Sequence, residues 1–194
     1  MIFTFAILFC MQAAAANVLR PGNFLNDTPI LDIRSLTEVT GPLVVVNRTH
    51  RIESEYRCLS AAISKNLSGT QYTYKLRAGK YNGSSFVYDT EEVTVNLIEV
   101  KNRTGVYEAS YYSNKTNLIA NLTLEMKDDN SSCFVLWVRN SDYTSGCELL
   151  VKVSELKHIP QGCKSYYEEY CTAPSLQLHN SSCVYEDLPP PLHC

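Results

Sequence analysis

The chain has 194 residues, 45% of them hydrophobic, with 17 basic against 20 acidic residues and a formal net charge of -3. That balance leaves no basic patch for a nucleic acid or an anionic membrane surface, so both partner classes are excluded. The length suits one domain with a core of ordinary size.

The first sixteen residues, MIFTFAILFCMQAAAA, carry no charge, contain an apolar run from Ile2 to Met11 and end in Ala14-Ala15-Ala16. This pattern reads as a signal peptide over residues 1–16, cleaved before Asn17, followed by a single domain over residues 17–194. No later apolar run reaches the roughly 18 residues of a transmembrane helix, so a secreted, extracellular protein without a membrane span is expected. Cys10 leaves with the signal peptide. The remaining cysteines, Cys58, Cys133, Cys147, Cys163, Cys171, Cys183 and Cys194, then read as a disulfide scaffold, with Cys194 as the odd one out. Spacing alone leaves their connectivity open, since six cysteines already allow 15 pairings. The four histidines (His50, His158, His179, His193) are scattered and no Cys-X-X-Cys pair occurs, so no metal site is expected.

In chain order, Asp27-Thr28-Pro29 reads as a helix start, and Ile30–Val39 places Ile30, Ile33 and Leu36 on one face of a short amphipathic helix. Gly41-Pro42 ends it. From there the apolar period falls to two. Leu43–Arg48, Glu55–Ser64, Thr70–Ala78, Ser85–Val100, Gly105–Tyr112, Asn117–Met126, Cys133–Arg139 and Cys147–Val153 read as eight strands rich in β-branched and aromatic residues. The breaks carry Asn, Gly, Ser and Lys. After the Pro160-Gln161-Gly162 turn comes a Tyr-rich helical segment with Cys163 and Cys171.

Nine Asn-X-Ser/Thr sequons stand at Asn26, Asn47, Asn66, Asn82, Asn102, Asn114, Asn121, Asn130 and Asn180, each a glycosylation candidate in a secreted glycoprotein. Five of them (Asn66, Asn82, Asn102, Asn114, Asn130) fall in the breaks between strands, marking those positions independently as solvent-exposed turns. Eight sequential strands joined by short links predict a mostly β fold: an antiparallel up-and-down barrel of the size that holds one small ligand. A two-sheet sandwich is the alternative.

Side chains alternate along a strand. If the helix carrying Cys163 and Cys171 packs outside the barrel and bonds back to the strands, then Cys133, Val135 and Trp137 face it, as do Cys147, Leu149 and Val151. Phe134, Leu136, Val138, Glu148, Leu150 and Lys152 then face the interior. We take Phe134, Leu136, Val138, Glu148 and Leu150 as candidate ligand-binding residues. Glu148 is either a ligand contact or a rim residue paired with Lys152 or Arg139. Of Tyr72, Tyr74, Tyr107, Tyr111 and Tyr112, some must face inward and offer a pocket both a ring and a hydroxyl. No Ser, His or Asp stands in nucleophile-elbow or metal-motif spacing, so neither catalysis nor a cofactor is expected.

With LVVVNRTH, Tyr56-Arg57-Cys58 and above all CFVLWVRN…GCELLV…IPQGCKSYYEEYC…C, the chain resembles the salivary lipocalins of ticks, the histamine-binding family, over essentially the whole mature chain. The resemblance implies a lipocalin barrel with disulfides Cys58–Cys183 and Cys133–Cys163, and Cys147–Cys171 as an extra bridge. The family's amine signature is Cys-Asp-aliphatic, a loop, then Glu-aliphatic-Trp, its two acids holding an ammonium. Here the matching stretches are Cys133-Phe134-Val135 and Glu148-Leu149-Leu150, so Glu148 remains while Phe134 and Leu150 replace the aspartate and the tryptophan. Members that depart from the signature, the japanin-like immunomodulators and the eicosanoid scavengers, imply a sterol or fatty-acid derivative. A small hydrophobic ligand is therefore the expected partner. A biogenic amine (histamine or serotonin) is the alternative, as is a host protein or immune cell engaged by the exterior.

Overall fold

A computed structural model describes residues 30–185. The signal-peptide reading, the helix start at Asp27, the sequon at Asn26 and the terminal Cys194 lie outside them. Eight antiparallel strands follow one another as β1 (Leu43–Arg48), β2 (Tyr56–Ser68), β3 (Gln71–Tyr81), β4 (Phe86–Glu99), β5 (Tyr107–Ser113), β6 (Leu118–Lys127), β7 (Cys133–Asn140) and β8 (Ser145–Lys152). Each pairs with its sequence neighbours, and β1 pairs with both β8 and β2, so the sheet closes into an up-and-down barrel. Strand bounds follow the apolar period and the turn residues to within a few positions. The first hairpin is tighter than the sequence suggests: β2 runs through Asn66 to Ser68, leaving Gly69-Thr70 as the turn.

The expected N-terminal amphipathic helix is a shorter 3₁₀ helix, Ile33–Glu38. In a 3₁₀ turn residues i and i+3 eclipse, which is why Ile33 and Leu36 together bury one face. Asp32 caps it, accepting from the Arg34 backbone N–H at 3.1 Å and from the Tyr107 N–H at 3.3 Å. Arg34 Nη2 donates to the Gly105 carbonyl at 2.6 Å. These bonds hold the helix across the end of the barrel where β5 begins.

Two apolar clusters divide the molecule. The inner one joins Ile33, Leu36, Leu43, Val45, Val95, Leu97, Leu124, Phe134, Leu136, Val138 and Leu150. The outer one joins Val44, Val46, Cys133, Val135, Trp137, Cys147, Leu149 and Val151 with Cys163 and Tyr167 of helix α1 (Gln161–Tyr170) and with Cys171, which caps its C-terminal end. The cysteine-bearing faces of β7 and β8 thus point outward under α1, and Trp137 lies with them. Disulfides join Cys58 to Cys183, Cys133 to Cys163 and Cys147 to Cys171.

Closure between β1 and β2 rests on only two residue pairs, Leu43 with Ala61 and Val44 with Ser60. Beyond them the strands part, and the C-terminal segment fills the slit. Strand β9 (Leu176–Gln177) pairs with Asn47 and Arg48 of β1. The next residue, Leu178, donates its N–H to Val46 O and accepts from Cys58 N–H, both at 2.8 Å. Its side chain is fully buried in the inner cluster. The Cys58–Cys183 bond pins this strap to β2.

The loop after β1 is likewise fastened to β8. Thr49 donates its N–H to Cys147 O at 3.0 Å, and Thr49 Oγ1 accepts from the Cys147 N–H at 2.8 Å. The approach is possible because residue 146 is glycine: a Cβ there would lie 2.6 Å from Thr49 Oγ1 and 3.0 Å from the His50 nitrogen. Of the described sequon asparagines, Asn66, Asn82, Asn102, Asn114, Asn130 and Asn180 are exposed, whereas Asn47 and Asn121 sit half-buried within strands.

Two expectations follow for stability. The double variant Cys58→Ser/Cys183→Ser removes a crosslink spanning 125 residues and should lower unfolding free energy by about 3–5 kcal/mol, the largest loss among the three bridges, as read by urea denaturation. Gly146→Ala should cost about 1–3 kcal/mol by forcing the Thr49–His50 backbone off β8. Gly69→Ala, whose Cβ would meet nothing within 4 Å, should stay within about 0.5 kcal/mol of the parent protein.

Candidate ligand-binding site

The barrel encloses a cavity of about 360 Å³, within the range of small-molecule sites. Its floor is the 3₁₀ helix, through Ile33, Leu36 and Thr37. Its walls are apolar, with Leu76 of β3, Val95 and Leu97 of β4, Leu122 of β6, Leu136 and Val138 of β7, and Leu150 of β8. Period-two alternation on each strand delivers these side chains inward. The opposite end is polar and is built from Arg48, His50, Arg51, Ser54, Glu91, Ser113, Lys115, Asn140 and Glu148.

Four of the five sequence-derived candidates, Leu136, Val138, Glu148 and Leu150, reach the cavity wall. Phe134 does not line it. It has the right face, but it pairs with Leu150 and Lys127 at the end of the barrel that the 3₁₀ helix closes. There it is wholly buried in the inner cluster, as packing rather than lining. Lys152, expected inside, is also absent from the wall. Tyr74 and Tyr111 line the cavity; Tyr72 and Tyr107 pack half-buried against the inner cluster; Tyr112 faces solvent, 47% exposed.

A bulge decides the chemistry of the polar end. β1 runs Val45 opposite Leu150 and then Asn47 opposite Leu149, so Val46 is an extra residue in that ladder. Strict alternation from Val45 would turn Asn47 inward and Arg48 outward. The bulge reverses this, and bulges commonly re-aim a side chain in this way. Arg48 therefore faces the cavity opposite Glu148 on β8.

Glu148 finds its partner in His50, neither Lys152 nor Arg139. His50 Nε2 donates to Glu148 Oε1 at 3.0 Å, with side chains 5% and 16% exposed. Burial pushes the Glu148 carboxyl up. The His50 hydrogen bond and the charges of His50 and Arg48 outweigh that, and the group sits below the ordinary carboxylate range. The acid is thus held ionised and already occupied. The other carboxylates at the rim are engaged too. Glu91 accepts from Ser113 Oγ at 2.8 Å and from the Asn114 N–H at 2.7 Å, and Asp89 lies 3.1 Å from Lys115 Nζ.

Arg48 is only 7% exposed. Its Nη2 donates to the Arg51 carbonyl at 3.0 Å, but its Nε has no acceptor, nor has His50 Nδ1 a partner. Burial lowers its affinity for the proton, with Arg51 and Arg57 adding to that and Glu148 opposing it. The phenol of Tyr111 is pushed up, first by burial and then by the negative charges of Glu148 and Glu91. Sequence reasoning missed both Arg48 and His50. The bulge has no compositional signature, and His50 belongs to a loop whose position depends on Gly146.

Residues 33–185 match the profile of the family described as tick histamine binding protein. Among solved structures the chain is similar to japanin from Rhipicephalus appendiculatus bound to cholesterol, with a TM-score of 0.53 at 12% identity, covering 72% of this chain and 91% of that one. It is also similar to AM182 in complex with serotonin, with a TM-score of 0.50 at 18% identity, covering 77% of this chain and 88% of that one. No curated protein matches. The matched span takes in the helix across the barrel floor, all eight barrel strands, helix α1 and the strap, and the chain belongs to the tick histamine-binding protein family of lipocalins.

Proposed function

We propose that the protein is a secreted lipocalin that sequesters one small, mainly apolar ligand of the sterol or eicosanoid class, without chemistry, and so modulates host immune and inflammatory responses. The observation that carries this reading is the state of Glu148. It is the one acid retained from the amine signature, and it already accepts a hydrogen bond from His50, while the second acidic position is Phe134, which is wholly buried and does not line the cavity. An ammonium entering here would have to compete with His50 for a single carboxylate. An apolar ligand meets walls that suit it, and its burial gains about 25 cal/mol per Å² of apolar surface. Cholesterol in japanin supports a lipid of this size class in a related barrel. Three disulfides, and the absence of any described helix long and apolar enough to cross a membrane, accord with an extracellular site of action. Exposed sequons at Asn66, Asn82, Asn102, Asn114, Asn130 and Asn180 would carry the glycans.

A biogenic amine is the second reading, favoured by the ionised Glu148 at the cavity end and by the serotonin complex of AM182. Native mass spectrometry of the protein secreted from insect cells should reveal a co-purifying hydrophobic ligand. Calorimetric titration with histamine and serotonin should give no binding tighter than about millimolar; tighter binding would make the amine reading the better one. Glu148→Ala should leave lipid affinity within about threefold while lowering stability by about 1–3 kcal/mol, because His50 loses its acceptor. An amine site would instead lose its affinity in that variant. Effects on host immune cells that persist after the cavity is blocked would point to the exterior surface.

A further inference from the structure

We propose that the groove between helix α1 and strand β1, on the outside of the barrel, is a sugar site. Its occupant is the first N-acetylglucosamine of a glycan on Asn47, and that sugar helps to hold the C-terminal strap in place. This rests on the reading that the protein passes through the secretory pathway, where such glycans are attached.

Asn47-Arg48-Thr49 differs from the sequons on exposed turns because its asparagine lies within a strand and is half-buried. The bulge that turns Arg48 inward leaves Asn47 opposite Leu149, on the outer face of the barrel. There Asn47 borders a groove of about 320 Å³. Leu149, Tyr167 and Ile159 give the groove an apolar surface, and Ser175 adds a hydroxyl. Lys164 and Glu168 of α1, their charged groups 3.9 Å apart, add a donor and an acceptor. A pyranose carries both kinds of surface, a C–H face with an N-acetyl methyl and an edge of hydroxyls. Such a mixture of apolar lining and few polar groups is what a small-molecule site requires.

The Asn47 nitrogen can take the sugar and keep its place. Asn47 Nδ2 donates to Ser175 Oγ at 3.4 Å, a long bond, and Ser175 Oγ lies 2.8 Å from the Tyr167 hydroxyl. A carboxamide nitrogen has two N–H groups. In glycosyl transfer from a lipid-linked oligosaccharide pyrophosphate, Nδ2 forms a bond to the anomeric carbon as the C–O bond to the pyrophosphate breaks. The pyrophosphate leaves with its electron pair, and one Nδ2 proton passes to a base of the transferase. The other N–H remains for Ser175.

Chain order opens the site to that reaction. Ser175 lies 128 residues beyond Asn47, and Gln177, which pairs with Asn47 in the sheet, comes later still. During synthesis Asn47 therefore meets the transferase before α1 and the strap exist to cover it. Once they dock, the sugar lies between α1 and the start of the strap.

The test takes the protein secreted from insect cells through peptide-N-glycosidase, native and then denatured, with each sequon read by mass spectrometry of its peptide. Sugars on Asn82 and Asn114 should leave the native protein, and that on Asn47 should leave about tenfold more slowly until the chain is denatured. In protein trimmed to single N-acetylglucosamines, the acetyl methyl on Asn47 should show nuclear Overhauser contacts to Ile159 and Tyr167. Asn47→Gln, which removes the sugar but keeps a carboxamide, should speed hydrogen exchange at the Leu178 N–H about two- to tenfold. If Asn47 is bare while Asn82 or Asn114 carries sugar, the inference fails and the secretory reading stands. If no sequon carries sugar, both fail. An Asn47 sugar released as fast as the others, or without contacts to Ile159 and Tyr167, overturns its seat in the groove. Unchanged exchange in Asn47→Gln overturns its hold on the strap. The wild-type readings are decisive should that variant not fold.

Discussion

The barrel depends on how a short pairing between its first two strands is completed. β1 and β2 share only two residue pairs before they separate, and an open sheet edge inside a hollow protein would expose unpaired N–H and C=O groups. Leu178 resolves this by bonding to Val46 on one side and Cys58 on the other, with its side chain in the inner cluster. The distant C-terminus thus becomes part of the wall. Without it, the bulge that turns Arg48 inward would sit beside a gap, and the polar end of the cavity would have no fixed geometry.

From that closure the site follows as a sequence of constraints. The bulge at Val46 sets which face Arg48 takes. Gly146 sets how near the following loop can come, and hence places His50 against Glu148. With Glu148 bonded to His50, Arg48 Nε and His50 Nδ1 are the buried groups left without a partner. None of these residues is unusual in type. Their chemistry arises from one extra residue in a strand and one missing Cβ.

How much of this could be read from the sequence varied with the range of the physics involved. Strands and turns were legible because period-two patterning and turn residues are local, and the exposed sequons at Asn82, Asn102, Asn114 and Asn130 marked four of the breaks a second time, whereas Asn66 lies within β2. The inward and outward faces of β7 and β8 were legible as well, since alternation needs only a starting phase and the cysteines supplied one. The disulfide partners came from family resemblance, because spacing leaves many pairings open. Phe134 shows where phase stops: alternation gives the face of a residue but not its depth along the barrel, which the 3₁₀ helix determines. The bulge, the loop carrying His50 and the three-residue strap were not legible. Each depends on contacts between segments far apart in the chain.

The placement of the disulfides has a mechanical side. All three fasten the same part of the molecule: Cys58 on β2, Cys133 on β7 and Cys147 on β8, tied to α1 or to the strap. β3, β4, β5 and β6 carry no crosslink and are joined by hydrogen bonds and packing alone. The cup therefore has one stapled flank and one pliant flank, and local opening belongs to the pliant one, where each excursion breaks only non-covalent contacts. Arg48, His50 and Glu148 sit on the stapled flank, so local opening of the other flank leaves their mutual geometry in place.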